Sequence, residues 1–141
     1  MDLSQIKTGD RTIEILHPAT GEKLGVRVNL VSIDDERLTK AKRVITDRRL
    51  YLEARGKVFK AEEIEENKIN LLFAAMTGWE WYAQQATDDT PAIDAPTFHG
   101  EIPEFNRRNV NAVLYELAWF NDQVNEAIGE TKAFFEPSKQ N

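Results

Sequence analysis

A change of hydrophobic period divides this chain, and it limits the available folds more than any other feature. In RTIEIL, residues 11–16, polar side chains alternate with Ile13 and Ile15; in GVRVNLV, residues 25–31, Val26, Val28 and Leu30 share one side. Successive side chains of a strand point to opposite faces, so both runs read as half-buried strands. Between them HPATGEK holds Pro18, which presets a turn dihedral, and Gly21, which takes positive φ cheaply. The runs therefore form a hairpin over 11–31, with a loop of about four or five residues. Beyond it the apolar spacing becomes helical. The predicted class is α+β, mainly α-helical with an N-terminal β-hairpin.

Three helices are predicted. Ser32, Asp34 and Asp35 offer cap oxygens to a helix over about 34–54, with Leu38, Ala41, Val44, Ile45 and Leu52 at helical spacing. Gly56 ends or bends it. The second helix spans about 61–77, with Ile64, Lys68, Leu71, Leu72, Ala75 and Met76 on one stripe and Gly78 as its stop signal. Glu62, Glu63, Glu65 and Glu66 load its first turns, where carboxylates oppose the helix dipole. Asn106 caps a third helix over about 106–129, with a break near Phe120–Asn121. Residues 83–104 carry Pro91, Pro96, Gly100 and Pro103 and read as an acidic loop longer than usual. Phe134 and Phe135 are expected to fold the end back, and 136–141 is expected to fray. At 141 residues the whole chain, 1–141, suits a single domain.

Composition removes several chemistries. The chain has no cysteine, so thiolate nucleophiles, thiolate metal sites and disulfides are excluded. The two histidines, His17 and His99, lie far apart in sequence, and His17 reads as an exposed or turn-capping residue. Glu62 and Glu66 share a helix face, but a solvated first turn explains them better than an acid–base pair. Asp88, Asp89 and Asp94 lack calcium-loop spacing. There is no phosphate-binding glycine loop and no nucleophile elbow. No catalytic, cofactor-binding or metal-binding residue is expected. No apolar run approaches the roughly 20 residues that span a bilayer, and MDLSQIKTGD lacks the pattern of a secretory signal. A cytoplasmic home and no membrane partner are expected.

Charge and tryptophan are distributed unevenly. The net charge of −6 argues against a nucleic-acid partner. Yet nine basic residues fall between Arg37 and Lys60, while Glu80 to Glu104 holds six acids and no Lys or Arg. The basic run is either a solvated helix face or a docking surface for an acidic partner, with Arg37, Lys40, Arg43 and Arg48 as candidate contacts. In MTGWEWYAQ, residues 76–84, Trp79 and Trp81 point the same way if the segment is extended, and Glu80 faces water. The pair either covers the end of a core or anchors another protein, with stacking on a base or sugar a third reading. Trp119 joins them as a candidate contact.

Several pieces in order resemble the tail assembly chaperones of long-tailed bacteriophages. These are the Asp-Leu-Ser start, the hairpin HPATGEKLGVRV, the charged helix after SIDDER, the TGWE after an apolar helix, PEFNRRNVNAVLYEL, and a closing AFF. The resemblance covers about residues 2–135, with Pro18, Gly21, Gly25, Gly78, Trp79, Phe105, Asn109 and Phe135 matching the pattern as structural positions. The loop 83–104 departs from it by being enlarged. The resemblance implies a non-enzymatic protein of the infected host's cytoplasm, left out of the mature virion. Such a protein holds the tape measure protein, recruits the major tail protein and works in multiple copies. A longer form made by ribosomal frameshifting is common in such proteins. The alternatives are a structural virion component, such as a tail-tube or head–tail connector protein, and a small nucleic-acid-binding regulator.

Overall fold

The computed structural model describes Asp2, residues 10–32 and residues 35–135, with backbone alone in 130–135. Leu3 and Ser4 of the start, the cap candidate Asp34, the side chains of Phe134 and Phe135, and the tail 136–141 lie outside the described residues.

The hairpin forms as expected. Strand β1, Arg11–Leu16, pairs antiparallel with β2, Lys23–Leu30, with Ile13 opposite Val28. The alternation buries Ile15, Val26, Val28 and Leu30 on one face. His17 Nδ1 accepts from the backbone N–H groups of Ala19 and Thr20, so the histidine caps the turn. On the opposite face Arg27 Nε lies 2.7 Å from Glu14, and its guanidinium sits 4.1 Å from the Tyr82 ring centroid. Cross-strand partners of this kind add modestly to the stability of a sheet.

A third strand corrects the sequence reading. Helix α2 covers Ala61–Ala75, not 61–77, and Met76–Trp81 forms β3, antiparallel to β2. The sheet order is β1-β2-β3. Gly78 is not the stop, because Met76 is already extended at φ −95°, ψ 133°. The free edge of β2 recruits the chain instead: the Val31 N–H takes the Ala75 carbonyl at 2.8 Å. Between Asn29 and Leu30 the register slips, and Thr77 Oγ1 donates to the Asn29 carbonyl. Pairing with a neighbouring strand has overridden local helix signals.

Helix α1 covers Glu36–Glu53 within the predicted 34–54, with the Asp35 carboxylate accepting from the Arg37 N–H at 2.8 Å. Gly56, at φ +67°, ends it as expected: Lys57 N–H bonds Leu52 O and Gly56 N–H bonds Glu53 O. These two bonds are the Schellman pattern. The apolar stripes shift, however. Val44 is 68% exposed and Ile64 57%, while Ile69 is buried. The N-terminal half of α2 and the adjoining end of α1 extend beyond the main core cluster, so Leu50, Tyr51 and Ile64 stay exposed there, while Leu52 is buried.

The predicted 106–129 helix is two helices, α3 at Arg107–Glu116 and α4 at Ala118–Phe135. Asn106 caps α3 as expected, its side chain accepting from the Asn109 N–H. The break falls at Leu117, earlier than Phe120–Asn121. Both of those residues are buried in the first turn of α4, and Asn121 Nδ2 donates to the Leu114 carbonyl at the interruption. Gly129 does not end α4. The sheet's inner face, α2 from Ile69 onward, α3 and α4 enclose one core that includes Val110, Val113, Leu114, Phe120 and Val124. Gln123 closes the β1 edge by bonding both the N–H and the carbonyl of Leu16. Among the described residues no helix is long and apolar enough to cross a membrane. Segment 83–104 holds no helix or strand, only isolated bridges.

A candidate docking cleft between the sheet and the helix junction

Strand alternation turns Trp79 and Trp81 to the inner face, with ring centroids 5.5 Å apart at 67°. Their fates then diverge. Trp79 meets Phe105 and Phe120 edge-on at 5.6 and 6.3 Å, and its Nε1–H donates to the Pro103 carbonyl at 2.9 Å. It is a core residue that also pins the acidic loop. Trp81 lies two residues further out, opposite Val26. Its Nε1 is buried and has no acceptor among the described residues. An indole N–H can only donate, and leaving one unpaired costs roughly 1–3 kcal/mol.

Trp81 forms one wall of a cleft of about 480 Å³. Ile15, Leu24 and Val26 continue that wall along the sheet, Pro96 and Phe98 of the acidic loop form a second, and Leu117, Trp119 and Phe120 form the third. The break at Leu117 creates this third wall. It re-aims the chain so that Phe120 enters the core while Trp119 stays half-buried at the cleft, the rings 6.1 Å apart.

The rim is polar. His17 and Pro18 come from the hairpin turn, and His99 and Glu116 from the far side. His99 and Gly100 have φ of +52° and +84°, and His99 is the one non-glycine with positive φ among the described residues. Two such residues in sequence make the tight turn that joins the Phe98–Glu101 bridge. His99 Nε2 lies 2.8 Å from Glu116 Oε2, tying the loop to the end of α3. Both side chains are largely exposed, so the tie orients the rim more than it stabilises the fold. Behind the cleft, Gly25 at φ +91° lets Tyr82 and Pro96 approach the start of β2. Tyr82 Oη donates to the Glu14 carboxylate at 2.7 Å, and its phenol is pushed above the ordinary value, first by burial and then by that bond.

The seven residues singled out from the sequence do not converge. Trp81 and Trp119 meet at the cleft and Trp79 lies behind it. The basic residues stand elsewhere, along α1, with Arg37 paired to Asp35, Lys40 to Glu36 and Arg48 to Glu63, and Arg43 exposed. Sequence reasoning missed Leu24, Phe98, His99 and Leu117. The His-Gly pair in TFHGEI was a legible signal for a tight turn; nothing local marked Leu117 as a break. Among the described residues no three His, Asp or Glu side chains come together as a metal site would need. No family model, no curated protein and no solved structure matches this chain.

Proposed function

We propose that this protein is a non-enzymatic assembly chaperone that holds an elongated helical partner, the cleft between Trp81 and Trp119 taking an apolar side chain from it. The observation that carries the reading is the cleft itself. Two tryptophans frame an apolar recess of about 480 Å³, and one of them keeps a buried donor with no acceptor among the described residues. Tryptophan anchors dominate protein–protein contacts because a rigid ring covers much area at small entropic cost. A partner residue filling the cleft removes apolar surface from water, and an oxygen it brings offsets the cost of the unpaired indole.

The ordered motifs of the sequence direct this reading to phage tails. There the partners are the tape measure protein, whose apolar helical ridges suit such a recess, and the major tail protein. The protein acts in the host cytoplasm and is absent from the mature virion. Co-expression with a tape measure protein tests it. Wild type is expected to keep the tape measure protein soluble and to co-purify with it. Trp119→Ala, with unchanged thermal unfolding, is expected to retain less than about a tenth of that binding. Equal recovery with the variant, or recovery of this chain from purified virions, overturns the proposal.

A further inference from the structure

The end of α3 departs from ordinary helix chemistry. The C-terminal end of a helix carries the negative pole of its dipole, so a cation is favoured there and a carboxylate is not. Helix α3 nevertheless has no basic residue in its last turn, and its final residue is Glu116. The Glu116 Oε2 takes a hydrogen bond from His99 Nε2 at 2.8 Å. A carboxylate only accepts, so that nitrogen carries the hydrogen, and Oε1 is left for a further donor. At pH 7.5 an imidazole is ordinarily neutral and supplies that bond without cancelling the charge.

Glu116 stands on the rim of the cleft, and the elements around it do not balance its charge. The hairpin turn over 16–24, the loop 83–104 and the helix junction over 112–123 together hold eight carboxylates and one cation, Lys23. Of the chain's net charge of −6, this end supplies the whole. Arg27 does not offset it, because it lies on the opposite face of the sheet against Glu14 and Glu80. Arg108 is eight residues before Glu116 on α3, about 12 Å along the axis, and lines a separate recess with Glu101 and Glu104. Among the described residues no Lys or Arg lines the cleft itself, whereas Trp81, Phe98, Trp119 and Phe120 do. Aromatic walls with a carboxylate at the mouth attract a cation, and more strongly where water is excluded.

We propose that the cleft binds a partner helix through two neighbouring side chains, an apolar one that enters the recess and an arginine or lysine one turn away that reaches Glu116. The binding ridge of the partner is therefore basic as well as apolar. His99, at φ +52°, is the positioning residue, because its bond holds the carboxylate at the mouth. The surrounding carboxylates speed encounter with such a ridge and disfavour an acidic one. This rests on the client-binding reading of the cleft and adds the charge that the client must carry.

Peptide titration tests it. A helical host peptide of alanine and glutamine carries two leucines one turn apart and, one turn further on, arginine, norleucine or glutamate. Each version is titrated into the ¹⁵N-labelled chain at pH 7.5 in 25 mM salt, with the Trp81 and Trp119 indole N–H signals reading binding. The arginine version is expected to bind at least about fivefold more tightly than the norleucine version, and the glutamate version more weakly than either. The arginine-to-norleucine ratio is expected to fall below about twofold in 300 mM salt, and likewise in Glu116→Gln. Glu116→Lys is expected to prefer the glutamate version. Circular dichroism checks that both variants fold; should either fail, the salt dependence of the wild-type ratio decides. Arginine and norleucine versions of equal affinity leave the cleft reading in place and overturn the cation. A preference that survives Glu116→Gln or 300 mM salt also overturns the proposal, and no shift with any version overturns the cleft reading together with it.

Discussion

Gly25→Ala isolates the close approach that builds the back of the cleft. Gly25 has φ +91°, and an added Cβ would sit 2.5 Å from the Tyr82 carbonyl oxygen and 3.1 Å from Pro96 Cδ. Gly21 is the internal control: its φ is +73°, but nothing lies within 4 Å of its added Cβ. Positive φ costs alanine roughly 1–2 kcal/mol at either site, offset by about 0.4–1 kcal/mol from a stiffer unfolded chain. Only Gly25→Ala must also move a backbone carbonyl and disturb the 2.8 Å bond from Tyr82 N–H to Gly25 O. A weakened bond and crowding of this kind add about 2 kcal/mol. For a domain of this size that difference corresponds to roughly 6–10 °C in melting temperature. Thermal unfolding followed at 222 nm reads both variants. Gly25→Ala is expected to melt well below Gly21→Ala and to shift Trp81 emission, since the displaced Pro96 is a cleft wall. Equal losses would show that the Tyr82–Pro96 wall yields freely, and the reasoning about a fixed cleft would fail.

Two pH effects follow from the hydrogen bonds of Tyr82 and Asp35. Burial and the Glu14 bond raise the Tyr82 phenol, so it stabilises the fold below the unfolded value of about 10 and that stability is lost as pH rises through the raised folded value. Urea midpoints from pH 8 upward are expected to fall less steeply in Tyr82→Phe than in wild type; parallel curves would contradict this. The Asp35 carboxyl is held low, first by the Arg37 guanidinium and then by the Arg37 N–H. Its contribution is present above the unfolded value of about 3.9 and is lost as pH falls through the lowered folded value. Asp35→Ala is therefore expected to be less stable than wild type at pH 6 and to converge with it in acid, measured by the same midpoints.

Legibility followed the range of the interactions. The hairpin, the Asp35 and Asn106 caps and the Gly56 stop were readable because each rests on residues within a few positions of one another. Strand β3 was not, because its cause is the unpaired edge of β2, some fifty positions away in sequence. Pairing Trp79 with Val28 outweighs the helical spacing that seemed to carry α2 to Thr77. The same holds for Ile64 and Val44: their helical spacing is real, but spacing alone cannot show where a core stops. Trp81 and Trp119 were each visible as large rings, yet their meeting depends on the break at Leu117. That break rests on a buried amide, Asn121, reaching the Leu114 carbonyl.

The indole N–H signals of Trp79, Trp81 and Trp119 in a ¹⁵N–¹H spectrum test the central claim most directly. A peptide carrying an apolar helical stretch of a tape measure protein is titrated into the labelled chain. The Trp81 and Trp119 signals are expected to shift with saturation, while Trp79, already bonded to the Pro103 carbonyl, stays nearly still. Binding that leaves Trp81 and Trp119 unmoved, with shifts confined to other surfaces, would contradict the account.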